Sequence, residues 1–126
     1  MNVRTLVVLA ALAVYAGGCV KMNRADEIGD PAGLSGMAGK RIVIVGTVSG
    51  TPWQHMVDPR PSHPHETYFD MGRGQIVVYS KEPVSCAGTV RIAGTVIRLE
   101  GSSRDPQRKE TGTEYQVLAD SWECLR

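Results

Sequence analysis

The feature that most constrains this chain is the run Ile42-Val43-Ile44-Val45-Gly46-Thr47-Val48-Ser49-Gly50. Branched side chains are stiff in a helix and fit a pleated surface, so the run predicts a strand. A glycine inside such a strand costs stability and marks a bulge, a sharp bend or a close approach of two backbones. A partial echo follows at Val90-Arg91-Ile92-Ala93-Gly94-Thr95-Val96-Ile97-Arg98-Leu99, again with Gly-Thr-Val after strand-forming residues. Long strands bent at a glycine suit a small closed barrel, in which one strand must serve both halves of the wall.

The beginning of the chain speaks to cellular address. Arg4 is followed by an apolar run over residues 6–16 and then by Gly17-Gly18-Cys19. A short basic region, a short apolar region and a small-residue exit describe a secretory signal. Eleven apolar residues would reach only about 16 Å as a helix, roughly half a bilayer core. Ala16-Gly17-Gly18-Cys19 resembles a bacterial lipobox. The resemblance implies cleavage before Cys19, lipid on its sulfur and new amino group, and a membrane-anchored protein of the cell envelope facing the periplasm. Val20 follows the cysteine, and by analogy with lipoprotein sorting this favours the outer membrane. Removing residues 1–18 takes Arg4 and no acid, leaving 13 basic and 13 acidic side chains. That balance offers no footprint for nucleic acid, which needs an excess of Lys and Arg. With Cys19 lipidated, Cys86 and Cys124 remain, and two thiols in an oxidising compartment read as one disulfide.

Residues 19–38 read as a lipidated cysteine and a flexible tether, rich in glycine and without sustained periodicity, in which Asp30-Pro31 would cap one short turn containing Leu34 and Met37. Residues 39–126 read as the single folded domain. Its first strand begins at Arg41. Residues 51–66 hold Pro52, Pro59, Pro61 and Pro64, which rule out a central strand or a regular helix, together with all three histidines. A second strand over 67–71 and a third over 75–80 flank the tight turn Gly72-Arg73-Gly74. A fourth strand spans 89–99, a polar loop 101–112, and a fifth strand 114–124.

Five strands without a confident helix predict an all-β barrel. The Gly-bent first strand, the turn Tyr68-Phe69-Asp70-Met71-Gly72 leading into Gln75-Ile76-Val77-Val78, and Val90-Arg91-Ile92-Ala93-Gly94-Thr95-Val96 together resemble bacterial extracytoplasmic OB-fold proteins and anticodon-binding-type OB domains. The likeness covers roughly residues 39–124; the usual helix between strands three and four is missing, which leaves an SH3-like barrel as the alternative. In the OB topology strands three and five are parallel neighbours. The resemblance thus implies that Cys86 and Cys124 lie at one end of the barrel, where a disulfide would contribute about 4 kcal/mol by loop-closure entropy.

The OB resemblance also points to a ligand face on strands two and three, flanked by the loops after strands one and four. Trp53 and His55 would form one wall of a cleft, Arg104, Arg108 and Lys109 the other, with Tyr68, Arg73 and Tyr79 presented from the strands. Trp122, interleaved with Leu118, reads as packing. His55, His63 and His65 are candidate ligands for Zn, Cu or Ni, with Met56, Asp58 or Glu66 nearby, although their spacing matches no established metal motif. No nucleophile elbow, H-E-x-x-H pair or phosphate-cradling loop occurs. The expectation is a noncatalytic, membrane-tethered module recognising a protein, peptide or small envelope ligand, with an envelope metal-binding or metal-sensing protein as the alternative.

Overall fold

The computed structural model describes residues 25–102 and 111–125. The signal segment and Cys19, along with Arg104, Arg108 and Lys109, lie outside the described residues. Among the described residues there are six strands: β1 (Asp26–Ile28), β2 (Arg41–Val48), β3 (His65–Met71), β4 (Gly74–Ser80), β5 (Thr89–Ser102) and β6 (Thr111–Cys124). The expected strands one to five correspond to β2 to β6. The sheet order is β1-β2-β3-β4-β6-β5, and β2 also pairs with β5, which closes the last five into a barrel. β4 and β6 run parallel through Val78↔Val117 and Tyr79↔Leu118; the other barrel pairs are antiparallel. This is a closed five-stranded barrel with one extra strand, consistent with a small OB-like or SH3-like barrel, and its third and fifth barrel strands are parallel neighbours.

The two echoing glycines allow the closure. A Cβ on Gly46 would sit 2.8 Å from Phe69 Cε1 and strike the Asp70 carbonyl, where β2 passes from β5 to β3. A Cβ on Gly94 would strike the Leu118 carbonyl, next to the register shift at Ala93/Gly94. Both positions are close backbone approaches within strands, as the sequence predicts. Inward side chains of all five barrel strands, among them Ile42, Ile44, Phe69, Ile76, Val78, Ile92, Val96 and Val117, form one buried core. The connection from β4 to β5 contains no helix; it contributes Val84 to that core. Cys86 and Cys124 are joined in a disulfide, their Cα atoms 5.6 Å apart.

Two boundaries differ from expectation. The segment read as tether through residue 38 is folded from Asp26 onward. Asp26, Glu27 and Ile28 pair in parallel with Ile42, Val43 and Ile44. Pro31–Leu34 form a 3-10 turn in which the Asp30 side chain accepts a hydrogen bond from the Ala32 amide at 3.0 Å, and Leu34 is fully buried in the core. Local propensity gives no strand at Asp26-Glu27-Ile28; the hydrogen-bonding groups of β2 impose it. The loop expected at 101–112 is shorter, because Gly101 and Gly112 pair inside the β5–β6 hairpin.

Candidate functional site

β4 is buried on both faces. Ile76 and Val78 point into the barrel core, whereas alternation directs Gln75, Val77 and Tyr79 outward. These outward residues are buried all the same, because residues 53–58 lie across them and across the neighbouring outer face of β6 as a strap.

Polar side chains of the sheet hold the strap. Gln75 Oε1 accepts from the Trp53 amide at 2.8 Å and lies 3.0 Å from His55 Nε2. Gln75 Nε2 donates toward Ser49 Oγ, the Thr51 carbonyl and Asp70 Oδ1, at 2.8, 2.9 and 3.0 Å. His55 Nδ1 contacts Glu114 Oε1, so both ring nitrogens face acceptor oxygens. Glu114 Oε2 accepts from the Met56 amide at 2.8 Å, and Gln116 Nε2 donates to the Met56 carbonyl at 2.6 Å. The Tyr79 hydroxyl accepts from the Asp58 amide at 3.0 Å, and burial pushes its phenol above the usual value of 10.0.

The expected ligand residues fall into two groups. Tyr79 is fully buried beneath the strap and is not offered to a ligand, and Tyr68 is half-buried with its ring 5.7 Å from that of His55. This corrects the placement of Tyr79 on an open face. The run Gln75-Ile76-Val77-Val78-Tyr79 carried the signal, since near-continuous apolar runs mark strands buried on both sides. Trp53 and Arg73, by contrast, are open. Trp53 is 64% exposed and the Arg73 side chain 93% exposed. Together with Thr51, Asp70 and Gln75 they line a cleft of about 340 Å³ between the strap and the β3–β4 turn.

This cleft is braced from the N-terminal side. Asp30 Oδ2 accepts from the Arg73 amide at 3.0 Å and lies 3.4 Å from Arg73 Nε. The Ala32 and Arg73 amides hold the Asp30 carboxyl below its usual value of 3.8. The histidines do not converge. His55 is engaged with Glu114 and Gln75, His63 pairs with Arg60 and contacts Ser62, and His65 starts β3. Among the described residues, no group of three His, Cys, Asp or Glu side chains is placed to hold a metal ion. Trp122 is partly buried against the core.

Set against known proteins, the chain matches no family model and no curated protein.

Proposed function

We propose that this protein is a noncatalytic binding module of the cell envelope, carried on the membrane by lipid at Cys19, and that its recognition cleft is the one between Trp53 and Arg73. The reading rests above all on how Trp53 is held. Its amide is bonded to the buried Gln75, which anchors the main chain here, while the residue remains 64% exposed, so the indole stands at the edge of the cleft without being packed away. A large aromatic surface of this kind loses little freedom on contact and suits a protein, peptide or small envelope ligand. Arg73 beside it supplies a guanidinium able to grip a carboxylate or phosphate through two parallel bonds. The Asp70 carboxylate adds an acceptor to the lining, while Gln75 is engaged in holding the strap. The leader supports the address, and the barrel supplies a rigid frame.

The test is site-specific photo-crosslinking in intact cells expressing the full chain. A photoreactive residue at position 53 is expected to give a discrete adduct that Arg73→Ala weakens. The same residue at Glu123, on the β5–β6 surface, is expected to give none. Equal labelling from both positions would overturn the cleft assignment. Absence of incorporated lipid in the wild-type chain, together with its presence in soluble fractions, would overturn the anchored address.

A further inference from the structure

We propose that the outer face of β4 and β6 is a binding site for an extended peptide, recognised through its main chain, and that residues 53–58 occupy this site in cis. The inference goes beyond the Trp53–Arg73 cleft, and because Trp53 belongs to the strap, a peptide seated on this face would open that cleft.

The first observation is what the face touches. Gln75 Oε1 takes the Trp53 N–H, Glu114 Oε2 takes the Met56 N–H, Gln116 Nε2 gives to the Met56 carbonyl, and the Tyr79 hydroxyl takes the Asp58 N–H. All four are sheet side chains bonded to main-chain atoms of the strap. Such bonds place no demand on the strap's side chains, except that proline would lack the N–H. Strand-to-strand recognition of peptides uses ladder hydrogen bonds for affinity and pockets for alternate side chains for selectivity. Here side chains take the part of the ladder.

The second observation is how little the strap's own side chains contribute. Trp53, Gln54, Val57 and Asp58 are exposed, and only His55 and Met56 are seated. The Met56 seat is a notch at two paired glycines. A Cβ on Gly112 would lie 2.8 Å from Met56 Cε, and one on Gly101 would lie 3.3 Å from both Cε and Sδ. The face therefore combines main-chain readers with one slot for a slender apolar side chain and a polar seat, at Glu114 and Gln75, for the His55 ring.

The third observation is that the strap satisfies the site incompletely. Gln116 is fully buried, yet among the described residues its Oε1 has no hydrogen-bond partner. A buried acceptor left unpaired is costly. An incoming peptide with a hydroxyl, amide or ammonium donor beside the residue in the Met56 slot would satisfy it. The strap is tied at both ends, so it competes at an effective concentration on the order of millimolar. Only a better-matched peptide, or a loosened strap, would vacate the face.

The experiment uses the disulfide-intact chain and a fluorescent peptide with the sequence of residues 52–59. The host is the His55→Ala, Met56→Pro variant, which empties the seats, removes the strap's own Met56 N–H and leaves every reader on the sheet unsubstituted. Saturable binding by anisotropy is expected on the variant, at least about tenfold tighter than on the wild-type chain. Methylating the peptide nitrogen at the Met56 position is expected to weaken binding about tenfold or more, since it removes a charge-assisted bond. Alanine at the Trp53, Gln54 and Val57 positions of the peptide is expected to change it little. Failure of the folded variant to bind, or indifference to N-methylation, would overturn the proposal. If the double variant does not fold, the wild-type chain serves instead. Excess peptide must then shift the Met56 and Asp58 amide resonances toward those of a free loop, and unchanged resonances would overturn the proposal equally.

Discussion

Leu34→Ala tests whether the N-terminal segment belongs to the folded domain. Leu34 is fully buried among core side chains from β strands far away in sequence. Truncating a buried leucine to alanine removes transfer energy and leaves a cavity, together about 2–5 kcal/mol. Full burial within the main core places Leu34 in the middle of that range, at about 3–4 kcal/mol. For a domain of about 100 residues each kcal/mol moves Tm by roughly 4–8 °C, so a fall of about 15–25 °C is expected. Met37 is only partly buried against the same core, so Met37→Ala should cost clearly less. The assay is thermal unfolding by circular dichroism with the Cys86–Cys124 bridge intact. A drop of less than about 3 °C for Leu34→Ala would refute the reasoning, because that is what an unpacked tether residue would give.

Gly46→Ala should cost about 3 kcal/mol or more in the same melts, since the new methyl meets the Asp70 backbone rather than a yielding side chain; a neutral result would contradict the tight β2–β3 crossing. Asp30 gives a pH dependence whose sign follows from its depressed carboxyl value. Its contribution is present above the unfolded value and is lost as pH falls through the folded one, so Tm should decline below about pH 4 more steeply in the wild type than in Asp30→Asn. Identical acid limbs would remove Asp30 from the account. Tyr79 works in the opposite direction: its raised value means stability is full below pH 10.0 and falls as pH rises through the folded value, a limb that Tyr79→Phe should flatten.

The barrel was legible because its signals are local. The β-branched runs around Ile44 and Ile92 mark strands, and Gly46 and Gly94 mark close approaches that chain closure makes necessary. The Cys86–Cys124 bridge was legible at one remove, through the parallel neighbours the OB resemblance implies. What escaped depends on groups distant in sequence. Asp26-Glu27-Ile28 becomes a strand because β2 offers it hydrogen bonds, not because of its own propensities. Gly101 and Gly112 resemble loop boundaries until their pairing makes them the walls of the Met56 slot. The candidate site was half legible. Trp53 and Arg73 lie open beside one cleft, whereas Tyr79 is covered by a strap whose path is set by Gln75, Glu114 and Gln116, which carry no motif.

Amide hydrogen exchange across residues 51–64, resolved by NMR on the disulfide-intact chain, bears most directly on the strap. The amides of Trp53, Met56 and Asp58, each bonded to a sheet side chain, should be protected, whereas those of Gln54 and Val57 should exchange freely. Uniformly fast exchange through the segment would mean that the face of β4 and β6 holds no strap, and would contradict the account at its centre.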